Sequence, residues 1–264
     1  MPKFFGTPLI TLPSSYSDAS SQNVSLTSRG ELKTVQLCDN HSSLADEGTY
    51  FKACTPANTN GASTSSYSSA QQLANFTGIG QANNPTIAVL NSSGNPLHAV
   101  CLDYVRFMVT SATGSSTGGR VNYAVTTNTY DRFSSASPGS PLTPVSVNSL
   151  STSAPIAKLY TGNSTQAITL GGFTGTVLAL HSKGKFKDYG NVAAAAPSFV
   201  TGDIYTLDFG DHAVKGQEFT SSNAAQYSAC TGPLIIGPGQ FVAIQIWAAI
   251  GTATFDIDMG WWER

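Results

Sequence analysis

Two aspartates near the end of the chain, in "FDIDMGWWER", are the first residues to test for chemistry. In a strand, side chains two apart share a face at about 6.6–7 Å. That is close to the roughly 6.5–9.5 Å between the carboxyl groups of inverting glycosidases. Trp247, Trp261 and Trp262 would then be surfaces for stacking on sugar rings. Alternation offers a simpler account. Ala253, Phe255, Ile257, Met259 and Trp261 form one face, and Thr254, Asp256, Asp258 and Gly260 the other, which is the apolar-in, polar-out pattern of an antiparallel strand. The aspartates then lie on the wet side of a closing strand. Trp261 and Trp262 point opposite ways, so at most one shares the layer of Phe255. Trp247 sits in a run that is apolar on both faces, which marks it as core or interface.

Other constellations are weaker. "DIYTLDFGDH" holds Asp203, Asp208, Asp211 and His212, and oxygen and nitrogen donors of this kind can bind a divalent cation. Calcium-loop spacing is absent, and a solvated turn after a strand is the favoured reading. His41, His98, His181 and His212 have no recognisable catalytic context, and no Gly-x-Ser-x-Gly occurs. "HSKGKFK", His181 to Lys187, is the one basic cluster and reads as a solvated loop between strands. Cys38, Cys54, Cys101 and Cys230 include no Cys-x-x-Cys pair, which disfavours zinc and redox motifs. No catalytic residue, cofactor or metal is expected.

Composition narrows the class of protein that positions these residues. Only 11% of the 264 residues are charged, against roughly 25% in an ordinary soluble domain. The net charge of −2 carries no basic surplus, so no nucleic-acid partner is expected. No apolar stretch approaches the length of a membrane span, and "MPKFFGTPLITLP" lacks the apolar core of a signal peptide. The expectation is synthesis in a cytoplasm, with reduced cysteines and no membrane partner.

Short candidate strands separated by turn signals run along the chain. They are "ELKTVQL" (31–37), "TYFKAC" (49–54), "TIAVL" and "LHAVCLDYVRFMVTSA" flanking "NSSGNP", "GRVNYAVTTNTY", "AITLGGFTGTVLALHSKGKF", "DIYTLDFGD", and a final pair at 240–250 and 253–262. "NSSGNP" reads as a hairpin turn, and the last two runs as a closing hairpin. "PLTPVSVNSL" contains two prolines and is confined to an edge or loop. A short helix is possible at "SSAQQLANF". The spacing predicts an all-β protein, a jelly-roll-like sandwich with long loops. Competing shapes are an immunoglobulin-like sandwich and a two-domain protein split near 135–155. Residues 1–30, rich in Ser and Thr, read as an extended N-terminal arm able to reach about 100 Å. Residues 31–264 form the single β domain.

"LDYVRFMVTSATG", "RFSSASPGSPLTPVSVN", "DIYTLDFG", "PLIIGPGQFVAIQIW" and "GWWER" together resemble virion structural proteins of tailed bacteriophages, from about residue 85 to the end. The resemblance implies a non-enzymatic subunit of a virion assembled in the bacterial cytoplasm. The reading it favours is a capsid cement or decoration protein, a homotrimer that also contacts the major capsid protein. A tail, collar or fibre-base component is the near alternative. Trp247, Trp261, Trp262, Phe4 and Phe5 are the candidate interface residues. Two other classes stay open: a glycan-binding, host-receptor module using exposed aromatics, and a glycan-cleaving enzyme using Asp256 and Asp258.

Overall fold

The computed structural model describes residues 25–26, 32–33, 45, 47–56, 62–63, 85–113, 119–128, 139–162, 168, 179–188, 198–210, 218–219, 225–248 and 251–264. The chain divides into two compact units, Met1–Cys38 and Asp39–Arg264. In the first, β1 (Ser25–Leu26) pairs antiparallel with β2 (Leu32–Lys33). The rest of the expected arm, with Phe4 and Phe5, lies outside the described residues, as does the helix expected at 68–76.

Among the described residues the second unit is mostly strand. They are β3 (Tyr50–Cys54), β4 (Ala62–Ser63), β5 (Ile87–Asn91), β6 (Val100–Thr113), β7 (Arg120–Asn128), β8 (Ser140–Leu142), β9 (Val145–Ser146) and β10 (Ala157–Thr161). After these come β11 (Ala179–Asp188), β12 (Ile204–Asp208), β13 (Glu218–Phe219), β14 (Ala225–Cys230), β15 (Leu234–Ile236), β16 (Phe241–Ala248) and β17 (Thr252–Glu263). One sheet has six strands in the order β11-β7-β16-β5-β10-β8. The other has nine, ordered β13-β14-β12-β6-β17-β3-β9, with β15 also on β6 and β4 also on β17.

Eight of these strands define the fold. In chain order they are β3, β5, β6, β7, β11, β12, β16 and β17. The first pairs antiparallel with the last, the second with the seventh, the third with the sixth and the fourth with the fifth. That is one long antiparallel ribbon rolled over into two facing sheets, a jelly roll. The remaining strands widen the sheets. β8, which contains Pro141, and β9, which follows Pro144, lie at the outer edges of the two sheets. An edge is where a residue with no N–H to donate is tolerated.

The core lies between the sheets. Phe107, Phe255, Met259 and Trp261 of the nine-stranded sheet meet Val89, Val125, Ile244 and Ile246 of the six-stranded one. The six-stranded sheet is buried on its far side too, where Ala88, Leu90, Phe241 and Ala243 pack with Ile168. This explains why β5 and β16 are apolar on both faces apart from Asn91 and Gln245.

Two expected hairpins are not hairpins. β5 and β6, on either side of "NSSGNP", belong to different sheets, as do β16 and β17. Turn chemistry reports that the chain reverses, whether it returns beside itself or arches over to the opposite layer. The first arch is held by Asn91, whose Nδ2 donates to the carbonyl of Ile236 at 2.9 Å and whose Oδ1 accepts from the Ser93 N–H at 3.0 Å.

Candidate functional site: the outer face of the nine-stranded sheet

The alternation seen in 253–261 is realised residue by residue. Ala253, Phe255, Ile257, Met259 and Trp261 are buried, while Thr254, Asp256 and Asp258 face outward and are half-buried. Strand register sets what surrounds the two aspartates. Asp258 lies between Cys54 of β3 and Arg106 of β6, and Asp256 beside Met108. One row further, Gly260 lies between Lys52 and Tyr104, with Val145 beyond Lys52 and Asp208 beyond Tyr104. The next row carries Tyr50, Trp262, Cys101 and Ile235.

These side chains form a closed network. The Tyr104 hydroxyl donates to Asp258 at 3.1 Å, the Cys54 thiol reaches the same carboxylate at 3.6 Å, and Arg106 approaches it at 3.5 Å. Lys52 and Arg106 both lie against the Tyr104 ring, at 5.5 and 5.6 Å from its centre. A β-bulge at Asp103 shifts the β6–β17 register between Gly260 and Trp261, which re-aims a side chain. The Tyr50 hydroxyl donates to Asp103 Oδ2 at 2.6 Å. Gly260 is needed at this crossing, because a Cβ there would fall inside contact distance of both the Tyr50 hydroxyl and the Tyr104 ring.

The electrostatics follow from this packing. Burial, and then the bond to Asp103, pushes the Tyr50 pKa far above its ordinary value. Burial also raises Tyr104. Lys52 is raised, first by its hydrogen bond to Tyr104. Both phenols therefore stay protonated, and donors, across the neutral range. The Cys54 thiol is raised by burial and then by Asp258; a thiol held protonated is a poor nucleophile. Asp256 accepts from Thr55 Oγ1 at 3.3 Å.

The other candidates are dispersed. Asp203 faces inward and Asp208 outward, as alternation through "DIYTLDFG" dictates; Asp211 and His212 lie outside the described residues. Asp203 accepts from the Tyr205 hydroxyl at 2.9 Å and the Ala225 N–H at 3.0 Å. Among the described residues, no group of three or more His, Cys, Asp or Glu is placed to hold a metal. The basic cluster is divided. His181, Lys183 and Lys185 are exposed, while a bulge at Phe186 turns Lys187 into the interior.

Trp247 and Trp261 are buried within the chain itself, at 1% and 0% exposure, so of the three tryptophans Trp262 offers the most surface. Trp261 stacks on Phe51, ring centres 6.0 Å apart, and donates from Nε1 to Glu263 at 2.8 Å. The Glu263 carboxylate also accepts the N–H groups of Ile156 and Ala157 at 2.8 and 3.0 Å. It thereby ties β17 to the start of β10 in the opposite sheet. A cavity of about 220 Å³ opens beside it, lined by Phe51, His98 and Ile156 among others, but the acid in its wall is already satisfied by three donors.

Tyr50, Asp103 and Glu263 carry short polar contacts, and none is marked by a local motif. Apart from Trp261, which bonds Glu263 from the same strand, their partners are far away in sequence, so only the fold reveals them. No family model matches this chain, and neither does a curated protein or a solved structure.

Proposed function

We propose that the chain is a non-enzymatic structural subunit of a tailed-bacteriophage virion, of the capsid cement or decoration kind. It stabilises a particle through contacts between copies, as a homotrimer, and with the major capsid protein. The observation that carries this reading is the outer face of the nine-stranded sheet. Asp258 is paired with Arg106 and bonded by Tyr104, and exposed Val145, Met108 and Ile235 lie on the same face. Charges already paired lose less on leaving water, and apolar residues on an open sheet face mark a contact surface. In this reading residues 1–30 are the arm that reaches a neighbour.

Sedimentation of the purified chain tests it. A defined oligomer is expected, and Ile235→Asp with Met108→Asp should dissociate it without unfolding the monomer. A wild-type monomer at micromolar concentration, together with unchanged incorporation into particles after deletion of residues 1–30, ends the reading. One observation favours a second role as a glycan-binding, host-receptor module: Trp262 shares this face with Tyr50 and Tyr104. Trp262→Ala should then abolish binding on a glycan array while the fold is kept.

A further inference from the structure

A lysine and an aspartate face each other inside the sandwich. Lys187, on β11 of the six-stranded sheet, and Asp203, just before β12 of the nine-stranded one, have side chains 4% and 1% exposed. Their Nζ–Oδ2 separation is 3.8 Å, an ion pair but too long for a hydrogen bond. Aromatic rings enclose them. Lys187 Nζ lies 5.7 Å from the centre of the Tyr227 ring, which stacks on Tyr205 at 5.1 Å; Phe186 and Phe199 pack on Tyr205 from other sides.

The carboxyl group is held as an acyl-transfer site would hold it. Oδ1 accepts the Ala225 N–H at 3.0 Å, and Oδ2 accepts the Tyr205 hydroxyl at 2.9 Å and the Val200 N–H at 3.3 Å. One oxygen thus has a fixed donor where negative charge would develop. The other, the one nearer the lysine, has a phenol able to pass it a proton.

We infer that Lys187 and Asp203 condense to an intramolecular isopeptide bond that links the two sheets covalently. Nζ first passes a proton to Oδ2 across the pair, and the neutral amine then attacks Cγ of the neutral carboxyl group; the Nζ–Cγ bond forms and the Cγ–Oδ2 bond breaks. Of the three ammonium protons, one stays on the amide nitrogen and two leave with Oδ2 as water. The positive and negative charges cancel, and no oxidant or co-reactant is required. The Ala225 N–H holds Oδ1 through the tetrahedral intermediate and afterwards bonds the amide carbonyl. Tyr205 gives its proton to the departing Oδ2 and recovers one from the nitrogen. Fixing two reactants side by side raises their effective concentration, most strongly once the reacting atoms close to about 3–3.5 Å, and the apolar surroundings keep water from reversing the step.

The mass of the purified full-length chain, denatured and reduced, decides the matter. A mass lower than the sequence mass by one water is expected, with fragmentation of a protease digest placing the link between Lys187 and Asp203. The unreduced sequence mass, or a water loss mapped elsewhere, overturns the inference and leaves an ion pair only. Lys187→Arg and Asp203→Ala should each restore the sequence mass. Tyr205→Phe should give both masses side by side; complete linkage in that variant would remove Tyr205 from the step. If a variant does not fold, the wild-type mass alone gives the answer.

Discussion

The two sheets of this jelly roll treat their outer faces differently. In the six-stranded sheet all eight residues of β16 and all five of β5 are buried, and the outward side carries polar groups out of contact with water: Asn122, Thr126 and Gln245. In the nine-stranded sheet β17 alternates, and its polar side chains face outward into a network of hydrogen bonds and one ion pair. One sheet has an inside on both sides, and the other has a surface. The nine-stranded sheet is therefore where recognition by a second molecule is to be sought.

The contrast can be broken in several ways. The largest effect is expected on the inner side of the nine-stranded sheet, where Trp261→Ala should destabilise by about 3–5 kcal/mol in a urea titration. A change below about 1 kcal/mol would mean that β17 is not core. Next, Glu263→Ala leaves three donors without their carboxylate and should remove about 3 kcal/mol, read the same way.

Tyrosine ionisation gives a pH signature of the outer face. Tyr50 and Tyr104 bind their protons more tightly when folded. The stability they contribute is complete below the unfolded tyrosine value of about 10 and falls as pH rises past it. Urea midpoints should therefore hold near pH 8 and drop by about pH 11, and Tyr50→Phe should shrink the drop. An undiminished drop in that variant would assign it to other residues.

A smaller effect tests the six-stranded sheet. Among the described residues neither amide atom of Asn122 has a hydrogen-bond partner, so Asn122→Leu should be neutral or stabilise by about 1 kcal/mol. A clear destabilisation would show that the face is wetter than its burial suggests. Smallest of all is Arg106→Ala. The guanidinium is half exposed, and a pair of this kind contributes at most about 1 kcal/mol.

How legible these regions were in the sequence follows the same division. All eight strands of the ribbon stand out as apolar or alternating runs between turn residues, and the prolines in "PLTPVSVNSL" correctly mark two edges. β15, with three residues, is too short for a period to emerge, and β14 has a single buried residue; β10 alternates but follows a Pro- and Ser-rich stretch that reads as loop. The two missed arches have one cause: a reversal is written in local chemistry, but the layer to which the chain returns depends on partners far away in sequence. The faces of Asp256 and Asp258 could be read because strand period is local. Their network could not, since Tyr104 lies 154 residues from Asp258. Lys187 was hidden by a bulge, a single extra residue that reverses the expected facing of everything after it.

The pairing of the first ribbon strand with the last has a kinetic consequence. β17 lies between β6 and β3, in the middle of its sheet. While the chain emerges from a ribosome, β3 and β6 wait with their hydrogen-bonding edges unoccupied until residues 252–263 have been made. Such non-local closure makes folding slow and exposes unpaired edges to aggregation. This architecture can commit to its native state only in one late step, so its yield should depend on temperature and on chaperones during synthesis more than on the stability finally reached.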